Sequence, residues 1–269
     1  MTENIRQTDP ARLIQPRPAQ FDAAAIPSVA LLSNGQYSVI ITAAGAGSSA
    51  WRGLDVTRWR EDATRDCWGQ FCYVRDLADD TIWSIGYQPL CGTADAYDFE
   101  FHADRAEFHR RDGDVETRWA VCVVSDADCD VRAVTLVNHG SRPREIELTS
   151  FAEVCLNHRR ADQAHPAFAK LFLESEFDPK SGALLVRRRP RGTNENPVWA
   201  IHLAAPSAPT SEAIEYETDR VSFLGRGRTS ANPAVFDSGT GLSRTTGPVL
   251  DPVFSLRRRV RLAPGARGR

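Results

Sequence analysis

The 269 residues carry 33 basic and 35 acidic side chains, a formal charge of −2, with 42% hydrophobic and 25% charged residues. These values lie near globular averages, which excludes a disordered or fibrous chain. The balanced charge provides no global field for holding nucleic acid or an anionic membrane surface. The length fits about two average domains or one large all-β domain.

No segment reaches the run of about 20 apolar residues that a membrane-spanning helix needs, and the polar residues 1–20 lack the apolar region of a signal peptide. A cytoplasmic location is therefore expected. The six cysteines form no C-x-x-C pair and have no zinc-ligand spacing, so they read as free thiols.

Residues 1–24, with Pro10, Pro16 and Pro18 among polar neighbours, read as an N-terminal arm or linker, and regular structure is expected to begin near Ile26. From there short strands dominate. Residues 29–32 and 37–42 flank Asn34-Gly35, a hairpin signal because both turn residues tolerate positive φ. Residues 71–74 and 81–85 flank Asp79-Asp80. Tyr97, Phe99 and Phe101 alternate with Asp98, Glu100 and His102 at strand period. Residues 115–124 follow the Asp112-Gly113 turn, residues 131–138 repeat the pattern, and alternation resumes after His139-Gly140. Later apolar runs occupy 168–173, 183–186, 198–205 and 253–262. Helical periodicity is almost absent, so the sheets must cover one another, and the expected fold is an all-β, large antiparallel β-sandwich.

Gly45-Ala46-Gly47-Ser48-Ser49-Ala50 matches the dinucleotide pattern G-x-G-x-x-A, but no amphipathic helix follows, and a flexible loop is expected instead. Residues 51–60 hold two tryptophans and three arginines. Such a set can stack on a sugar ring and bond its hydroxyls. Equally, the tryptophans can pack as core while Arg58 and Arg60 pair with Glu61, Asp62 and Asp66. Residues 157–170 form a second polar cluster between two strands, either a binding loop or an ordinary solvated turn. Neither His158 nor His165 has a partner at metal spacing. No G-x-S-x-G elbow, H-E-x-x-H pair or phosphate-binding loop occurs. The basic runs 187–189 and 257–259 read as a solvated strand face.

Trp51-Arg52, Thr57-Arg58-Trp59-Arg60, the 73–83 hairpin, Tyr87-Gln88-Pro89, Ser150-Phe151-Ala152-Glu153 and Asp162 to Lys170 together resemble the N-terminal β-supersandwich of glycoside hydrolase family 94. That family contains cellobiose and chitobiose phosphorylases and cyclic β-1,2-glucan synthases. The segments at 31–47, 51–62 and 164–172 are most similar to the glucan synthase branch. The resemblance covers about residues 24–262 and implies a supersandwich over 25–269 without the (α/α)-barrel that holds the family's general acid, hence no catalytic residue in this chain. It implies inverting phosphorolysis or its reverse for a parent enzyme, with no metal or organic cofactor. The implied ligand is a β-glucan oligosaccharide, with inorganic phosphate bound only where a barrel is present. The implied protein partner is a second copy or a barrel domain. The substrate-binding candidates are Asp162, Gln163, His165, Phe168 and Lys170, with Trp51, Arg52 and Arg58 as a second group. A stand-alone carbohydrate-binding module and an inactive remnant are the alternatives.

Overall fold

Alternating apolar and polar residues between Gly, Asn and Asp turns produce a chain built almost entirely of strands. The computed structural model describes residues 19–25, 28–62, 64–193, 195–207 and 213–269. In chain order the elements begin with β1 (Ala19–Gln20), β2 (Val29–Ser33), β3 (Tyr37–Thr42), β4 (Gly47–Trp51), β5 (Leu54–Thr57) and β6 (Gln70–Asp76). Next come β7 (Thr81–Ser84), β8 (Ala96–Phe101), β9 (Arg105–Asp112), β10 (Val115–Val123), β11 (Asp130–Asn138) and β12 (Arg144–Asn157). Two short helices follow, α1 (Arg159–Ala164) and α2 (Pro166–Lys170), then β13 (Leu173–Asp178), β14 (Ala183–Arg188) and β15 (Val198–His202). The chain closes with β16 (Glu215–Asp219), α3 (Arg220–Leu224), β17 (Pro252–Leu262) and β18 (Arg267–Gly268).

The strands form three antiparallel sheets. One runs β1-β8-β9-β10-β11-β18, a second runs β16-β17-β12-β5-β4-β3-β2 with β6 and β7 added beside β12, and a small third runs β13-β14-β15. The long β12 organises the middle sheet: β17 lies along one edge, while β6 and then β5 share the other. One apolar cluster, which includes Val39, Ile41, Trp83, Phe108, Trp119, Val121 and Ile146, fills the space between the first two sheets. Within it Phe108 and Trp119 stack at 4.2 Å. Another cluster, built on Val154, Leu156, Leu173, Leu184, Val186 and Leu256, joins the small sheet to β12 and β17. A further one packs α3 and a 3-10 turn at Ala234–Phe236 against Tyr73 and Phe151. β12 is therefore buried on both faces over its second half.

The Asn34-Gly35 hairpin forms as expected, with Gly35 at φ +92°. Asn34 Oδ1 accepts from the Tyr37 N–H at 2.8 Å, and its amide donates to the Val124 carbonyl at 2.8 Å, which ties this turn to the far sheet.

Four expectations need correction. Regular structure begins before Ile26: within the segment read as an arm, β1 pairs with β8, while residues 1–18 lie outside the described residues. Residues 45–50, expected as a flexible loop, instead close a tight turn after β3 and then form most of β4, from Gly47 on. Gly45 takes φ +86°, and a Cβ on Gly47 would stand 2.1 Å from the Ile40 carbonyl oxygen. Residues 159–164 and 166–170 are helical, and the run expected as apolar strand at 168–173 enters the sheet only at Leu173, because Pro166 at the first turn preorganises a helix there. Arg257 is buried, not solvated: it donates to Thr149 Oγ1 at 3.0 Å and to the Val235 carbonyl at 3.2 Å, with its guanidinium over Phe236.

Candidate functional site

The two polar clusters of the sequence meet where β12 ends. β5 pairs with the last residues of β12, Leu156 adopts φ +49°, and the chain leaves the sheet through His158 into α1 and α2. Just past β5, the Arg58 N–H donates to the Glu153 carbonyl at 2.8 Å, which sets the Arg58 side chain beneath the two helices.

Arg58 is 3% exposed and Asp162 1%. Arg58 Nε and Nη2 donate to the two Asp162 oxygens at 3.1 and 2.9 Å, a bidentate pair, while Nη1 donates to Glu153 Oε2 at 3.0 Å. Arg60 adds a bond to Asp162 Oδ2 at 2.8 Å. At the end of α2, Lys170 Nζ lies 2.7 Å from Asp251, which is also 3.7 Å from Arg58. Arg220 Nε donates to the other Glu153 oxygen at 2.6 Å. Four cations thus share three carboxylates, and each helix is anchored, α1 by Asp162 and α2 by Lys170. Bidentate guanidinium–carboxylate contact fixes orientation as well as distance. Burial works against charge on both partners. For Asp162 the hydrogen bonds and charge of Arg58, then the charge of Arg60, outweigh it and hold the carboxyl below its ordinary range. For Arg58 the bond and charge of Asp162, then Glu153, raise the guanidinium above its ordinary value.

The anchored helices turn Gln163, His165 and Phe168 outward, all three exposed and Phe168 by 52%. Phe168 meets Phe172 edge to face at 5.2 Å, and the Arg191 guanidinium lies over both rings, at 5.2 and 4.7 Å. The exposed face of the helix pair thus carries an aromatic ring with a guanidinium over it, and on the same segment an amide and an imidazole.

Trp51 and Arg52 stand apart from this network, at the turn between β4 and β5. Trp51 is half-buried against the main core and donates from Nε1 to Asp128 at 2.6 Å. Arg52, at φ +48°, bonds Gln36 and lies over the Trp51 ring. The same turn reaches α1 where His158 Nδ1 stands 3.2 Å from the Gly53 carbonyl. Arg159 pairs with Asp55 and Glu61 and covers Trp59. Arg58 and Arg60 therefore pair with Asp162, about a hundred residues away, rather than with the neighbouring carboxylates.

Sequence reasoning did not single out Glu153, Asp251, Arg220 or Arg191 as parts of the site. Glu153 lies in a motif already noted, and Arg191 adjoins a basic run. Asp251 and Arg220 reach the site only through the pairing of β16 and β17 with β12, for which local sequence holds no signal.

A family model described as the glycosyl hydrolase 94 supersandwich domain matches residues 18–269. A cyclic β-(1,2)-glucan synthase NdvB from Rhizobium meliloti (strain 1021) is 40% identical over 235 residues, 87% of this chain and 8% of that protein. An N,N'-diacetylchitobiose phosphorylase from Vibrio proteolyticus is 24% identical over 212 residues, covering 78% of the chain and 25% of that protein. One from Vibrio furnissii is 25% identical over 190 residues, 68% of the chain and 22% of that protein. The chain thus spans a quarter or less of the length of these curated relatives.

Proposed function

The chain belongs to the glycosyl hydrolase 94 family as its supersandwich domain, and from that premise we propose that it is the carbohydrate-binding part of a cyclic β-1,2-glucan synthase-like enzyme. The likeness to NdvB is stronger than that to the chitobiose phosphorylases, which favours a β-glucan over a chitin disaccharide. The supersandwich holds the sugar, and the acid–base chemistry belongs to a barrel domain in the parent enzyme. Inorganic phosphate would be bound in that barrel.

The observation that carries this proposal is the anchored helix pair with an exposed aromatic side chain at its tip. A pyranose has an apolar face that stacks on a ring such as Phe168, and hydroxyls that Gln163, His165 and Arg191 can bond. Rigid presentation lowers the ordering cost of binding. Arg58, Asp162 and Lys170 act here as positioning residues, and Trp51 and Arg52 form a second rim on the adjoining turn.

Calorimetric titration of the chain with linear β-1,2-gluco-oligosaccharides tests this. Phe168→Ala is expected to weaken binding by about fivefold, the equivalent of about 1 kcal/mol of ring contact. No saturable binding to the unmodified chain, or affinity unchanged from it in both Phe168→Ala and His165→Ala, would refute the assignment.

A further inference from the structure

A separate cluster lies on the outer face of the six-stranded sheet, where β8 turns into β9. Glu100 and Glu107 stand directly opposite each other across this hairpin. Like charges in that position repel. His102 follows two residues after Glu100, on the same face, and its main-chain N–H closes the turn onto the Arg105 carbonyl at 2.8 Å. His102 Nε2 stands 3.8 Å from Glu100 Oε1 and 3.6 Å from Glu107 Oε2, and the three atoms lie within 4.8 Å of one another. That nitrogen is buried and has no hydrogen-bond partner among the described residues. Buried polar atoms are nearly always partnered, so an orphan facing two carboxylates calls for a physical reason.

The distances point to one. At 3.6 and 3.8 Å the imidazole nitrogen is too far from either oxygen for a hydrogen bond of about 2.7–3.2 Å. Two ligands of a tetrahedral ion with bonds of about 2.1 Å are separated by about 3.4 Å, so both spacings from His102 lie within a few tenths of an ångström of those in a coordinated set. Arg105 Nε donates to Glu107 Oε1 and leaves Oε2 turned toward His102, an outer contact of the kind that orients a metal-binding carboxylate. Glu100 and Glu107 also line an open hollow of about 440 Å³, together with Asp98, His109 and Arg118. A fourth ligand can enter from there.

We propose that Glu100, His102 and Glu107 form a binding site for a divalent transition-metal ion of the zinc class, with an open position facing the hollow. One imidazole nitrogen with two carboxylates suits zinc or cobalt. Calcium and magnesium take oxygen ligands, and the site has no thiolate for softer ions. The ligands face one another across a hairpin, as Glu-x-His followed five residues later by Glu, a spacing outside the usual linear metal motifs.

The experiment is calorimetric titration of the chelator-treated chain with Zn²⁺, with Co²⁺ absorption as a report on coordination. The expected result is one ion per chain, with affinity lowered about tenfold or more in both His102→Ala and the shape-conserving Glu107→Gln. His109→Ala, a histidine beside the hollow but outside the ligand set, is expected to bind as the unmodified chain does. Circular dichroism establishes that each variant is folded. No saturable uptake, undiminished uptake in His102→Ala, or a loss confined to His109→Ala would overturn the proposal.

Discussion

At position 58 a guanidinium that is 3% exposed lies between the carboxylates of Glu153 and Asp162. Taking one partner from such a pair strands a buried charge, at a cost of about 3–5 kcal/mol. Asp162→Asn is expected to lose about 3 kcal/mol in urea unfolding at pH 7, moderated by the remaining bond from Arg58 to Glu153. The effect has a definite pH dependence. Because the folded Asp162 carboxyl titrates below its ordinary value of 3.8, its contribution is complete above that pH and fades as pH falls through the folded value. The stability gap between the unmodified chain and Asp162→Asn should therefore narrow below about pH 4. A gap that stays constant on acidification would show that the Asp162 charge is not what holds α1. Arg58 and Asp162 were legible as polar residues in polar segments, but their mutual pairing was not, because the carboxylates nearest in sequence compete for the same assignment.

At the scale of elements, the strands were the most legible part. Alternation in residues 96–101 and 115–123 reflects one face on the core and the other in water, whereas the strand at 105–112 between them was not read from the sequence. The helices left little trace. α1 and α2 have six and five residues, too few for a helical repeat to emerge, and ion pairs rather than an apolar stripe hold them. α3 is likewise short, yet its start is well defined: Asp219 accepts from the N–H groups of Val221 and Ser222 at 3.3 and 3.2 Å. It directly precedes Arg220, the residue that reaches Glu153. Asp219→Ala is expected to cost about 1 kcal/mol by loss of this cap, measured by thermal unfolding. No change on substitution would mean that packing of Phe223 and Leu224 alone fixes the helix.

At the scale of the whole molecule, sandwich architecture followed from many strands with almost no helices to cover them. Sheet order did not follow. β12 pairs with β17, whose register sets Leu148 opposite Arg258, a separation that no local pattern encodes. That pairing brings Asp251 and Arg220 under the helix pair, so the part of the site that was hidden is the part assembled by long-range topology. Gln163, His165 and Phe168 were named from the family resemblance, since their polar segment alone reads equally as a binding loop or a solvated turn. In the proposed assignment these side chains form the sugar-contacting surface of the supersandwich. Residue-resolved NMR titration of the chain with a linear β-1,2-gluco-oligosaccharide tests it most directly: saturable shifts concentrated at Gln163, His165, Phe168 and Arg191 are expected, whereas shifts confined to other surfaces, or none at all, would contradict it.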